Sequence, residues 1–365
     1  MAQLTYDPVN VGIIGSGFVG DFYMDGLRDV AGARVVANYS RSAERAREFG
    51  ERHGIPRQYT EIEQICADDE VELVVIGLPN HRHVDAIRTA AAAGKAIVCT
   101  KPLARNAEEA AEIVRIVREA GVLHGYAETE VFSPNVMRAR QMIEDGAIGD
   151  VISVRAREAH SGPHAPHFWD ADTAGGGALL DMGCHTIEVS RYFFGKDVAM
   201  TEALAWGATL SHGDKTTGED NAVALIKFAN GGISVTESSW SMKGGMELRN
   251  EITGTDGRLV TDTTATPVHG FITKPAGYLL EKADAETGWV YPIPDEARVY
   301  GYHEELRHFV ECFRTGAEPR ETFVDGYIVN CALDACYRSM RSGQWEPIEI
   351  DPAIAGEAAG ATSAR

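Results

Sequence analysis

Apolar positions in the first third of the chain fall into short runs separated by helical stretches. Val9–Gly15, Arg34–Tyr39, Glu72–Leu78, Ala96–Thr100 and Val122–Tyr126 read as strands. Helical patterns lie between them, one running to about Val30, then Ala43–Phe49, His83–Ala93 and Ala107–Ala120. Ser42 and Asn106 stand at N-cap positions, where a side-chain oxygen satisfies a free backbone N–H, and Gly121 stops the last helix. Strands alternating with helices at this spacing predict an α/β domain with a parallel sheet over residues 1–127.

The pattern changes after a helix at about Asn135–Glu144. Val151–Arg157, Thr201–Trp206, Ala222–Phe228, Gly232–Ser239, Leu248–Thr253 and Arg258–Asp262 read as strands. Asn230-Gly231-Gly232 and Thr255-Asp256-Gly257 are hairpin turns, because Asn, Asp and Gly tolerate positive φ. Helical patterns near His303–Thr315 and Val324–Ser342 follow. The expectation is an α+β domain over 128–350 with a large, mostly antiparallel open sheet. The Ala/Gly-rich tail, 351–365, is predicted to be disordered.

Composition changes little in this picture, and charge narrows it. The 365 residues are 44% apolar and 24% charged, as in ordinary globular proteins. Length alone suggests two domains at roughly 150 residues each. With 34 Lys and Arg against 54 Asp and Glu, the net charge is −20, which counts against nucleic acid or anionic membrane surfaces as partners. A small bound phosphate remains compatible, since a few local cations suffice. The first ten residues lack the cationic start and apolar run of a signal peptide. No stretch approaches the roughly 20 apolar residues of a membrane helix. The six cysteines include no C-x-x-C pair. A cytoplasmic location with reduced thiols is expected.

Gly15-Ser16-Gly17-Phe18-Val19-Gly20 matches G-x-G-x-x-G directly after an apolar strand and at the start of a helix. That context, unlike the motif alone, points to a dinucleotide site. The glycines permit a tight turn and close approach to a pyrophosphate, and the helix N-terminus offers N–H donors. The competing reading is a plain glycine-rich turn. The next strand ends in Asn38-Tyr39-Ser40-Arg41-Ser42, without the acid that usually bonds an NAD ribose. Ser40 and Ser42 can donate to a 2′-phosphate and Arg41 can pair with it, so NADP is favoured slightly over NAD. Arg41 otherwise reads as a solvated helix-start residue. Pro79-Asn80-His81-Arg82-His83 and Thr100-Lys101-Pro102 both follow strand carboxyl ends, where open parallel sheets bind ligands.

Gly175-Gly176-Gly177 precedes a run containing Asp181 and His185. If the run is helical, these two residues share one face at i and i+4, a pairing suited to proton transfer. A histidine on an apolar helix is otherwise a core residue. Taken together, the glycine motif, Pro79-Asn80 with His83, Lys101-Pro102, and Gly176–His185 resemble the glucose-fructose oxidoreductase/inositol dehydrogenase (Gfo/Idh/MocA) family, from about Val9 to about Pro347. The resemblance implies a Rossmann domain followed by an α/β domain whose open sheet often forms an oligomer interface, giving a dimer or tetramer. It further implies NAD or NADP and reversible hydride transfer at a carbinol of a sugar, glycoside or cyclitol. By motif matching, Lys101 takes the role of the active-site lysine, Asp181 the substrate-orienting carboxylate and His185 the acid/base. Gly15, Gly17, Phe18, Val19, Gly20, Ser40, Arg41, Pro79, Asn80, His83, Thr100 and Lys101 are the expected cofactor contacts. The sequence departs from the family at Thr100, where Glu is usual, and at Glu188, where Asp is common.

Glu158 to Asp170 carries three histidines, a tryptophan and two prolines. We read it as a substrate-binding lid, with Trp169 stacking on a sugar face and His160, His164 and His167 bonding hydroxyls. A metal site built from the three histidines lacks a helix to align it, and no metal is expected; a purely structural loop is the other reading. Tyr126 joins Asp181 as an expected substrate contact. The resemblance implies dehydrogenation, and among family members the chain is most similar to bacterial ones that oxidise the C3 hydroxyl of glucosides, which makes that position the favoured one. The alternative is a glycosidase or lyase that oxidises, eliminates and re-reduces on a tightly bound NAD, using Tyr126 or Glu128 as an extra base. A non-catalytic dinucleotide sensor would have no need of Lys101, Asp181 and His185.

Overall fold

The computed structural model describes residues 8–265, 268–275, 287–293 and 295–356. The first domain contains strands β1 Val9–Ile14, β2 Ala33–Tyr39, β3 Arg57–Tyr59, β4 Leu73–Ile76, β5 Ala96–Thr100 and β6 His124–Ala127. Its helices are α1 Phe18–Leu27, α2 Ala43–His53, α3 Ile62–Cys66, α4 His83–Ala92 and α5 Ala107–Ala120. All six strands run parallel in the order β3-β2-β1-β4-β5-β6. The chain moves outward from β1 to β3 and returns beside β1 as β4. The crevice above the β1/β4 switch point is where such sheets bind ligands. Every residue of β4 and β5 is buried, so these strands read as unbroken apolar runs. β3 gave no such signal, because its three residues are the polar Arg57-Gln58-Tyr59 on the sheet edge.

The second sheet comprises β7 Val151–Ala159, β8 Met200–Ala208, β9 Asn221–Phe228, β10 Ile233–Ser239, β11 Glu247–Gly254, β12 Arg258–Asp262 and, after a separate hairpin of β13 Gly270–Ile272 and β14 Gly288–Val290, the short β15 Glu346–Pro347. Its order is β12-β11-β7-β10-β9-β8-β15, with only the β7–β10 pair parallel. The remaining helices are α6 Pro134–Glu144, α7 Ala171–Ala174, α8 Ala178–Phe194, α9 Glu296–Tyr300, α10 Tyr302–Thr315, α11 Phe323–Ser342 and α12 Pro352–Ala355. α8 and α11 cover one face of the sheet. The opposite face is open, and carries Trp206 paired with Val223 and the exposed Val260 beside ion-paired Arg157, Glu237 and Glu247.

Two boundaries differ from expectation. α10 lies within 128–350 but packs into the first domain, where Leu306, Phe309 and Val310 share a core with Val9, Val11 and Ile13. The tail is ordered further than predicted. Asp351 caps α12, and Ile354 and Ala355 are buried, so apolar burial overrides the flexible composition up to Gly356. Residues 357–365 lie outside the described residues.

Candidate active site

The three motif glycines do different work. Gly15 sits at φ 127°, and a Cβ there would lie 2.4 Å from the Gly77 carbonyl oxygen. A Cβ on Gly20 would lie 2.5 Å from the Gly15 oxygen, so Gly20 brings α1 against β1 and does not itself line the cavity. Gly17, the N-cap of α1, has open space where its Cβ would be and no side-chain cap. The free N–H groups of α1 therefore face an open cradle sized for an anion, as a pyrophosphate requires. The cradle opens into a cavity of ≈ 980 Å³. Ser40, Arg41, Ser42 and Arg45 line it beyond β2, and Pro79, Asn80, Thr100 and Lys101 line it beyond β4 and β5.

Lys101, Asp181 and His185 meet in this cavity. Lys101 Nζ donates to Asp181 Oδ1 at 2.9 Å and to its backbone oxygen at 2.8 Å. Trp240 Nε1–H, wholly buried, donates to Asp181 Oδ2 at 3.1 Å. His185 Nδ1 lies 2.6 Å from Glu128 Oε1. Asp181 and His185 share a helical face as their spacing requires. The triple glycine sets the position of that helix: a Cβ on Gly176 would meet Tyr337 Oη at 2.0 Å and one on Gly177 the Glu219 oxygen at 2.1 Å. Glu219 Oε1, from the segment just before β9, accepts from the Gly177 and Leu179 amides in place of a local cap.

Burial governs the proton affinities. It pushes Glu128 up to about 8, Glu158 to about 8 and Glu130 to about 7. It pushes His185 below its usual range. Burial also opposes the charge on Lys101, but Asp181, Cys184 and Glu158 outweigh it and keep the ammonium firmly protonated.

Several expected contacts fall elsewhere. His83 is fully buried, with Nδ1 3.0 Å from the Leu103 oxygen and Nε2 2.8 Å from the Leu78 oxygen, so it braces two loops and does not line the cavity. Tyr126 is fully buried in the core and does not line the cavity. Trp169 turns inward: its ring packs over Gly162 and lies 5.3 Å from Trp240 and 5.0 Å from His212, while its neighbour Phe168 lines the cavity. His160, His164 and His167 do line the cavity. The His164 ring packs tilted against Phe18 at 4.3 Å, His160 Nδ1 accepts from the Gly162 amide, and burial lowers His167 to about 4. These three histidines are not among the described clusters whose donor atoms converge within 4.8 Å. Those clusters are Glu128–Cys184–His185, whose thiol burial raises well above its normal value, and Glu188–Glu321–Asp325, to which Lys196 and Arg191 supply the positive charge. Glu188 thus belongs to a buried ion network. Sequence reasoning missed Glu130, Glu158, Phe168, Tyr300 and Tyr302 as lining residues and Trp240 as the partner of Asp181.

A glycine cradle at the switch point of a parallel sheet, opening onto a buried Lys–Asp–His group, defines a dinucleotide-dependent oxidoreductase of two-domain build. Residues 9–127 match the oxidoreductase family with an NAD-binding Rossmann fold, and residues 136–260 match the GFO/IDH/MocA C-terminal domain. The chain belongs to the Gfo/Idh/MocA family. It is 29% identical to levoglucosan dehydrogenase of Pseudarthrobacter phenanthrenivorans, over 92% of this chain and 97% of that one. It is 31% identical to trans-1,2-dihydrobenzene-1,2-diol dehydrogenase of Bos taurus, over 84% of this chain and 88% of that one. Among solved structures, GenD2 from gentamicin A biosynthesis, in complex with NAD, superposes with a TM-score of 0.88 at 28% identity, covering 96% of this chain and 99% of that one.

Proposed function

We propose that the protein oxidises a secondary hydroxyl of a sugar, glycoside or cyclitol with NAD or NADP, with C3 of a glucoside as the favoured position. The observation that carries this reading is the meeting of Lys101, Asp181 and His185 at one end of the dinucleotide cavity. A nicotinamide dinucleotide held at the Gly15–Gly20 cradle would supply the hydride acceptor for the carbinol hydrogen. His185 Nε2, whose orientation Glu128 fixes through Nδ1, takes the hydroxyl proton. Lys101 Nζ stabilises the developing alkoxide, and its charge helps hold His185 neutral. Asp181, held by Lys101 and Trp240, accepts from neighbouring hydroxyls and keeps the reacting one in line. His160, His164 and His167 bond further hydroxyls.

NADP is the favoured nucleotide. Arg41 and Arg45 line the cavity beyond β2, and neither has an ion-pair partner among the described residues, so both are available to a 2′-phosphate. The elimination reading is weakened at both of its extra bases, since Tyr126 is sealed in the core and Glu128 is engaged by His185. The open face of the second sheet supports a homo-oligomer, which light scattering of the purified protein tests.

Absorbance at 340 nm tests the reading as a whole, with NAD and NADP supplied separately against free sugars, glucosides and inositols. Reduced cofactor should accumulate with one of these classes. Absence of signal, with a dinucleotide released on denaturation, would replace the dehydrogenase by the internally recycling glycosidase or lyase.

A further inference from the structure

Among the described residues, the substrate end of the cavity holds more carboxylate than cation. Asp181, Glu130 and Glu158 line it and Glu128 lies directly behind His185. Lys101 is the lysine or arginine at that end and is already paired with Asp181, while Arg41 and Arg45 sit beyond β2. An oxidised nicotinamide would add one positive charge and still leave carboxylate in excess. Glu130 is bonded by Asn250 Nδ2 at 2.8 Å. Glu158 is different. It sits near the end of β7, 4% exposed, between Ser238 and Leu248 on the flanking strands, neither of which is charged. Its Oε2 atom is buried and has no hydrogen-bond partner among the described residues. A buried carboxyl oxygen left unpaired is costly, and Glu158, unlike the buried Glu188, Glu305 and Glu321, lines the cavity, where a ligand can reach it.

We propose that Glu158, with Glu130 beside it, binds a protonated amine on the substrate, so that the preferred substrate is an amino sugar or amino glycoside. The ammonium supplies a partner for Glu158 Oε2 and favours the ionised carboxylate over the protonated form that burial imposes, whereas a sugar hydroxyl supplies a hydrogen bond alone. Its place is near the reacting carbon, because Glu158 and Glu130 both act on the charge of His185. Burial raises both carboxyls, as expected for acids waiting for a cation.

This inference rests on the sugar dehydrogenase reading and is tested beside it. Isothermal titration calorimetry on the NADH complex compares 3-amino-3-deoxyglucose and 2-amino-2-deoxyglucose with glucose, and rates at 340 nm compare 2-amino-2-deoxyglucose, which keeps the C3 hydroxyl, with glucose. At least one amino sugar should bind at least tenfold tighter than glucose. In Glu158→Gln that advantage should vanish while glucose binding stays within about twofold. Oxidation of glucose with no preference for either amine overturns the inference and leaves the dehydrogenase reading intact. An equal loss of amine and glucose binding in Glu158→Gln also overturns it. Tight amine binding lost in Glu158→Gln, without oxidation of any sugar, supports the amine site and counts against the dehydrogenase reading alone.

Discussion

Glu128 Oε1 lies 2.6 Å from His185 Nδ1, and the carboxyl is wholly buried. This contact turns Nε2 toward the cavity. It also makes the two groups titrate as a pair. With Glu128 pushed up to about 8 and His185 pushed down by burial, the pair carries one shared proton at neutral pH. Whether that proton sits on the carboxyl or on the ring, Nε2 bears hydrogen. Only its loss leaves Glu128 accepting from Nδ1–H and Nε2 free as a base. Oxidation should therefore rise through about pH 8 to an alkaline plateau, and ketone reduction should fall over the same range. Initial rates in both directions across that range check this, and a flat oxidation profile would contradict it.

Replacing Glu128 separates charge from orientation. In Glu128→Gln the amide oxygen can still accept from Nδ1–H, but no carboxyl holds the shared proton. His185 then titrates alone below its usual range, so the rise in oxidation should move toward acid pH. Glu128→Leu loses the orientation and should lower kcat about 10²-fold with little change in KM.

Lys101→Ala and His185→Ala should each lower turnover by about 10²-fold or more, and His185→Ala should leave dinucleotide affinity within a few-fold. Stopped-flow turnover and fluorescence titration with NADPH supply the two numbers. Full turnover in either variant removes that residue from the mechanism.

The glycines should respond differently to a single methyl group. Gly17→Ala has room for its Cβ in the protein, so its melting temperature should stay near wild type, but the methyl occupies the cradle and should weaken dinucleotide binding at least tenfold. Gly15→Ala forces positive φ on alanine and a contact with the Gly77 oxygen, and should lower stability by several kcal/mol. Thermal unfolding with and without NADPH separates the two effects.

Trp240→Phe keeps the ring packing against Trp169 but removes the donor to Asp181 Oδ2. It should cost about 1–3 kcal/mol of stability and raise KM for the substrate more than KM for the nucleotide. Denaturant unfolding and steady-state kinetics read the two effects separately.

What could be read from the sequence was what local spacing encodes. The six residues from Gly15 to Gly20 specify their own turn, and Asp181 and His185 meet because four residues make one helical turn. Glu128 and Trp240 reach their partners across 57 and 59 residues, through strand order that local patterning does not contain. Trp169 shows the same limit at close range. Its aromatic character was evident, but Gly162, Trp240 and His212 decide which way it faces, and they turn it from the cavity. His83 was recognised as part of a motif, yet two backbone carbonyls engage it. α10 joined the first domain because Phe309 packs against Gly125, a contact made 184 residues away along the chain (309 − 125).

Hydride transfer from substrate carbon to cofactor is the central claim, and isotope transfer tests it most directly. A substrate found active in the absorbance screen, deuterated at the oxidised carbon, is mixed with excess enzyme and oxidised cofactor, and the dinucleotide is examined by mass spectrometry. The account predicts that deuterium appears in the reduced dinucleotide, and that His185→Ala slows its appearance about 10²-fold. Deuterium lost to water, or returned to the sugar without net reduction of the cofactor, would contradict it.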